Sequence, residues 1–92
     1  MARVFVVNHE YEAKVKAFKV DHDYQADILV YVVDHDYQAK GDALWFFVQH
    51  DYQASTKIFW VDHEYQANLK VFIVNHDYIA KWRKGHPLQN RL

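Results

Sequence analysis

Short apolar runs alternate with polar stretches along this chain, and the alternation repeats about every 13 residues. Each run has four apolar positions. The fourth opens a polar motif of Val, then Asn, Asp or Gln, then His, an acid and Tyr, with Ala two residues after the Tyr. The motif reads VNHEYEA from Val7, VDHDYQA from Val20 and Val33, VQHDYQA from Val48, VDHEYQA from Val61 and VNHDYIA from Val74. A period this regular indicates one supersecondary unit written six times.

The apolar runs predict one short β-strand in every repeat. Their second position is aromatic, in Phe5, Phe18, Tyr31, Phe46, Phe59 and Phe72, and their fourth is Val7, Val20, Val33, Val48, Val61 and Val74. Lys19 is the only polar residue among the 24 run positions, and we expect its stem to pack while its amine reaches solvent. Runs of β-branched and aromatic residues this short are typical of strands buried on both faces, and they are too short for an amphipathic helix.

Strand alternation also makes a prediction for the polar motif. In an extended chain it puts the aromatic residue, Val, His, Tyr and Ala on one side and the acid on the other, so we expect the motif to be strand-like too. A period of 13 is odd, and a straight strand would exchange its two faces at every repeat. Each unit must therefore bend or bulge once.

The repeats predict a single all-β domain over residues 1–92, with units near residues 1–13, 14–26, 27–39, 40–54, 55–67 and 68–80 and a tail over 81–92. Gly41 and Asp42 are an insertion that suits a turn, with three repeats on either side. Both terminal repeats keep their apolar strand, which favours a closed fold over a capped solenoid. If the chain makes two laps, the insertion marks the start of the second. Trp82 stands where earlier repeats start their strands, so a seventh unit should begin and pack there.

Six consecutive VDHDYQA-like motifs, with KGDALWFFV opening the fourth repeat, resemble the septknot family of small proteins. The resemblance covers about residues 3–83, and its most specific part is the Tyr-Gln-Ala that begins at Tyr24, Tyr37, Tyr52 and Tyr65. The chain differs in having His before the acid, and Glu12 or Ile79 in place of Gln. The resemblance implies a closed, compact all-β fold of about six short strands, whose chain is knotted as a seven-crossing torus knot.

Composition narrows the classes of function. The chain is 51% hydrophobic, which is generous for one core of 92 residues, and it has no cysteine, which fits a reducing cytoplasm. No apolar run approaches the roughly 20 residues of a membrane helix, and the first residues lack the apolar stretch of a signal peptide. A net charge of −1 disfavours nucleic acid and acidic membranes as partners. We expect a cytoplasmic monomer.

The repeated histidines and acids are the main candidates for chemistry, because imidazole and carboxylate bind transition metals. The candidate metal ligands are His9, His22, His35, His50, His63 and His76. Alternation puts each His and its acid on opposite faces, so the pattern favours histidines that pack, neutral, beside their tyrosines, with stability falling as pH drops below about 6.5. We expect no metal site and no cofactor.

The repeated tyrosines are Tyr11, Tyr24, Tyr37, Tyr52, Tyr65 and Tyr78. If exposed they could stack on sugars or bases, but strand spacing beside Ala favours packing between strands. The lone Ser55 and Thr56 lie in no nucleophile context, so we predict no enzyme. The sequence therefore favours a kinetically stable structural or interaction module. The alternative is a ligand-binding protein that uses the His, acid and Tyr rows for a metal or a carbohydrate.

Overall fold

The computed structural model describes residues 2–92, which form one seven-stranded sheet and contain no α-helix. The strands are β1 (Ala2–Val6), β2 (Val15–Lys19), β3 (Ile28–Val32), β4 (Leu44–Phe47), β5 (Thr56–Trp60), β6 (Leu69–Ile73) and β7 (Lys81–Trp82). The first six are the predicted strands, one in each repeat. Met1, the first residue of the first predicted repeat, lies outside the described residues.

Strands β1 to β6 close into a parallel barrel. Their order is β4-β1-β5-β2-β6-β3, and β3 pairs back to β4. The three strands of the second half of the chain thus lie between those of the first half, so the chain makes two interleaved laps. The connection from β3 to β4 joins neighbouring strands, whereas the other connections between barrel strands pass over one strand. It contains Gly41, whose φ of 77° lies in the left-handed region, and Asp42. The second lap begins at this insertion, as predicted.

Each barrel strand divides its length between two neighbours. On β2, for example, Val15 is in register with Ile58 of β5, and Ala17 with Leu69 of β6. This step of two residues places equivalent positions of different repeats at one level of the barrel. The ladder continues past each strand, because the amide of the motif valine donates to a neighbouring carbonyl, as from Val7 to Ile58 at 2.9 Å.

The barrel interior is filled by the first and third residues of the five-residue strands and by Trp45, the second residue of the shorter β4. Its buried side chains include Ala2, Val4, Val15, Ala17, Ile28, Val30, Trp45, Thr56, Ile58, Leu69 and Val71. The aromatic residue of each run points outward and is half-buried. The predicted burial on both faces is confirmed for the inward face and in part for the outer face, where Leu29 and four motif valines, Val7, Val20, Val33 and Val74, are buried as well. A small barrel has an interior narrow enough for side chains to fill it, whereas the outer face of its strands is covered only by the connections between strands.

The polar motif forms 3₁₀ turns, so the prediction that it is strand-like is wrong. The turns are Glu10–Glu12, Asp23–Gln25, Asp36–Gln38, Asp51–Gln53, Glu64–Gln66 and Asp77–Ile79. In each, the Ala amide donates to the carbonyl of the acid three residues earlier, as from Ala13 to Glu10 at 3.1 Å. The turn supplies the bend that an odd period requires. In the connections that pass over a strand, the turn also lies across that strand, as Glu10–Glu12 packs against β5 on the way from β1 to β2.

The tail covers the amino end of the barrel. Strand β7 runs antiparallel to β3, where Trp82 is in register with Ile28, and Trp82, Leu88 and Leu92 pack against the core. The predicted seventh unit does begin at Trp82. It differs from the other six strands in running antiparallel, and it pairs with the amino-terminal part of β3, Ile28 and Leu29, whereas β4 pairs with Tyr31 and Val32.

Asp42 fixes this cover to the barrel although it is only 9% exposed. Its carboxylate accepts the indole N–H of Trp82 at 2.9 Å, the amide of Leu92 at 3.3 Å and the amide of Asn90. Its backbone carbonyl accepts the indole N–H of Trp45 at 2.6 Å. A buried carboxylate is stable only with several such donors. The insertion therefore both starts the second lap and anchors the end of the chain.

Asp27 makes a second attachment. Its carboxylate accepts the amide of Lys70 at 3.0 Å, and its backbone carbonyl accepts the amide of Arg83 at 2.9 Å. The Lys84 ammonium lies 3.3 Å from one carboxylate oxygen, and Nε2 of His86 lies 3.6 Å from the other. Asp27 thus ties the tail to both β3 and β6.

We expect Ile58→Ala to lower the free energy of unfolding by about 2–5 kcal/mol, because the side chain is fully buried inside the barrel. The neighbouring change Lys57→Ala, on the outward face of the same strand, should lower it by less than about 1 kcal/mol. Urea unfolding followed by tryptophan fluorescence measures both values. Equal losses for the two variants would show that the inward and outward faces are wrongly assigned.

Candidate functional site

The six 3₁₀ turns display a histidine–tyrosine belt around the outside of the barrel. The belt consists of the pairs His9–Tyr11, His22–Tyr24, His35–Tyr37, His50–Tyr52, His63–Tyr65 and His76–Tyr78. Its tyrosines are 66–84% exposed, and its histidines are exposed as well. The prediction that the tyrosines pack between strands is wrong, because the turn lifts them away from the sheet.

Each belt histidine stacks on the tyrosine two residues later. The ring centroids lie 5.1–5.3 Å apart, with interplanar angles of 9–21°. The histidine has extended backbone just before the turn, with φ near −133° at His9, and the tyrosine is the middle residue of the turn. The predicted packing of each His beside its Tyr is confirmed, but the pair is in solvent. The expected acid destabilisation rested on buried imidazoles, so it has no structural basis.

The side chain of the motif glutamine binds the backbone just before the turn in the third repeat. Oε1 of Gln38 accepts the amides of Asp34 at 3.2 Å and His35 at 3.1 Å. The side chain thereby satisfies two amides that precede the turn, as a side chain does at the start of a helix. The histidine it holds is the stacking partner of Tyr37. In this repeat the Gln therefore orients the pair.

The acids of the belt fall into two groups. Glu10 and Glu64 reach lysines on the next strand, with Oε1 2.9 Å from the Nζ atoms of Lys16 and Lys70, and the hydrogen bond to Glu64 raises the pKa of Lys70 above its usual value. The other four repeats have the shorter Asp at this position. The signal in the sequence is a Lys six residues after each Glu, which our sequence analysis missed. Exposed pairs of this kind contribute little stability.

The belt histidines do not come together in one cluster. Each lies on a separate repeat, and across residues 2–92 no three His, Asp or Glu side chains come together in a group able to hold a metal ion. What the belt offers is six similar platforms, each an exposed phenol ring with an imidazole behind it and an acid beside it. Such a platform can stack on a planar or ring-shaped group and accept hydrogen bonds from it.

A second candidate lies at the carboxyl end of the barrel, where the inward-facing residues form a ring that we call the barrel mouth. Its members are Val6, Lys19, Val32, Phe47, Trp60 and Ile73. Val6 and Val32 are 38% and 37% exposed. Lys19 follows the sequence prediction in reaching solvent, but the sequence did not show that its ammonium lies 5.8 Å from the ring centroid of Trp60. That neighbour comes from the other lap.

Comparison with known proteins identifies a family. The family model described as the 7(1) septoil knot domain matches residues 1–83. No curated protein and no solved structure matches the chain. Within the described part of the chain, no helix has the length and apolar character needed to cross a bilayer.

Proposed function

Since the chain belongs to the septoil knot family and its two interleaved laps form a seven-crossing torus knot, we propose that it is a non-catalytic interaction module whose contact surface is the histidine–tyrosine belt. The observation that carries this proposal is the exposure of all six belt tyrosines, at 66–84%. Tyrosine is enriched at binding interfaces because it is large, rigid and amphipathic.

The chemistry of the belt favours an uncharged carbohydrate. An acid precedes every belt tyrosine, and the position before every belt histidine is Asn, Asp or Gln. These groups accept hydrogen bonds from hydroxyls, and the amides also donate them. The negative charge of the acids, which a lysine offsets at Glu10 and Glu64, opposes the phosphate that dominates the affinity of nucleic acid. The exposed phenol face can stack on the apolar face of a sugar ring. The belt thus has both kinds of contact that a neutral glycan uses.

The six-fold repetition of the platform favours a polymer as the partner. One exposed ring on a small platform gives weak binding, but six equivalent platforms on one rigid body convert later contacts into intramolecular ones. A glycan with repeating units presents the same epitope many times. We therefore propose a polysaccharide, bound by avidity, rather than a single sugar.

The scaffold supports this role as a monomer. The ring of β1 to β6 leaves none of its strands with an open edge for pairing with a second chain. The absence of cysteine fits a cytoplasmic, reducing compartment. Platforms held by a closed barrel lose little conformational entropy on binding.

The test is binding to insoluble cellulose and chitin and to soluble glucans and mannans, with pull-down and affinity electrophoresis as measurements. We expect at least one polysaccharide to retain the protein, and retention to persist at high salt because no ion pair is involved. The triple variant Tyr11→Ala, Tyr52→Ala and Tyr65→Ala should weaken binding by about tenfold or more through lost stacking and lost avidity.

The matched control replaces the same three tyrosines by Phe, which keeps the rings and should keep most of the affinity. Circular dichroism and thermal melts verify that both variants fold. Retention by none of the polysaccharides would reject the carbohydrate partner. Equal retention of the Ala and Phe variants would reject the belt as the contact surface.

The knot leads to a kinetic prediction. The chain must thread before its long-range parallel strands can pair, so refolding and unfolding should both be slow relative to an unknotted β domain of this size, and the native state should be kinetically protected. Stopped-flow and manual-mixing denaturant jumps measure both rates. We expect refolding to take about a second or longer. Refolding that is complete within milliseconds would contradict kinetic protection by threading.

A further inference from the structure

The two ends of the barrel are finished differently. At the amino end, Trp82, Leu88 and Leu92 of the tail cover the core. At the carboxyl end, the side chains of the barrel mouth remain in contact with solvent, and Val6 and Val32 are more than a third exposed. A ring of apolar residues open to water at one end of a closed barrel is the kind of concave, apolar surface at which small ligands bind.

Lys19 gives this apolar ring one charge. It is the only charged residue at the inward-facing positions of β1 to β6. The other mouth residues are Val, Phe, Trp or Ile. The Lys19 ammonium lies over the Trp60 ring, and no carboxylate of residues 2–92 is within ion-pair distance of it. A cation in this position is held near an apolar surface and has no anionic partner in the fold.

Lys19 is among the residues that line a cleft of about 380 Å³. The other lining residues are Phe18, Phe47, Trp60 and Val61. The volume is at the small end of the range of about 300–1,000 Å³ found for ligand pockets. Two aromatic rings of the mouth, Phe47 and Trp60, form its apolar walls. The walls come from β4 and β5, while the charge comes from β2, so both laps of the chain are needed to build the cleft.

We propose that the barrel mouth binds a small aromatic monocarboxylate. Its carboxylate pairs with the Lys19 ammonium, and its ring lies against Phe47 and Trp60. The charge of Lys19 selects an anion, and a cation would be repelled. Asp21 and Asp62, exposed two residues after Lys19 and Trp60, oppose a ligand with several negative charges. This site is separate from the belt, because no belt histidine or tyrosine is among the residues that line the cleft.

The test uses 2-naphthoate as the probe, with ¹⁵N–¹H correlation spectra of the full chain as the measurement. We expect saturable shifts that include Lys19, Phe47 and Trp60 and leave the belt tyrosines unchanged. The uncharged amide 2-naphthamide should bind at least about tenfold more weakly, and added salt should weaken the carboxylate alone, because only the carboxylate pairs with a charge.

Lys19→Met keeps the length and apolar stem of the side chain and removes its charge, and Lys19 is exposed, so the variant should fold. We expect it to bind 2-naphthoate about tenfold more weakly and 2-naphthamide as before. Lys57→Met, on the outer face of β5, is the matched control and should bind like the original chain. Equal affinity for carboxylate and amide, unchanged binding by Lys19→Met, or no saturable shift would overturn the proposal and leave Lys19 as a residue that keeps the mouth hydrated.

Discussion

Every barrel strand pairs with two strands from the other half of the chain. The rest of the structure depends on this constraint. A strand of five residues gives one half of its length to each neighbour, so no strand is complete until both laps are in place. Four of the outer turns lie in connections between barrel strands that cross an intervening strand. The connection from β3 to β4 joins neighbouring strands, and it is the one that carries the two-residue insertion. Asp42 belongs to this insertion, which lies at the covered end of the barrel, and its carboxylate therefore anchors the tail.

This constraint also explains why the two candidate surfaces are so different. The belt is made within single repeats, so it occurs six times in nearly the same form, which suits weak and repeated contacts. The barrel mouth is made from different laps, so a substitution in one repeat, such as Lys19, produces a feature that occurs once. A module of this kind can vary the mouth without disturbing the repeats, because the mouth lies beyond the two buried layers of the core.

Much of the fold could be predicted from the sequence because the apolar runs are local signals. The six strands, the position of the second lap at Gly41 and Asp42, and the start of a seventh unit at Trp82 all follow from aligned repeats. Strand order could not be predicted from the pattern itself, since stacked repeats and interleaved laps bury the same residues. Only the resemblance to a knotted family indicated it. The knot is confirmed by the family match over residues 1–83.

Strand alternation stops at the end of each strand, so the side-chain directions predicted for the polar motif beyond it were wrong. The polar motif closes a 3₁₀ turn, so Tyr24 and its equivalents leave the sheet and are exposed. The Asp that precedes Tyr24, Tyr37, Tyr52 and Tyr78 was the available signal for this, because Asp favours turns. The sequence also did not distinguish the two faces of the strands: Ile58 is fully buried inside the barrel, while Phe59 is half-buried on the outer face. Residue type alone does not tell which face of a strand is inward when both faces are apolar.

The most direct test of the interleaved laps is disulfide formation between strands, in a chain that has no cysteine of its own. Lys16→Cys with Phe59→Cys joins residues in register on β2 and β5, which are about 4.8 Å apart in a sheet and within reach of a disulfide. Arg3→Cys with Lys16→Cys joins equivalent positions of consecutive repeats, which β5 separates. We predict that the first pair oxidises readily in the folded protein and the second does not. A disulfide between residues 3 and 16, with none between 16 and 59, would indicate repeats stacked in chain order and would contradict two interleaved laps.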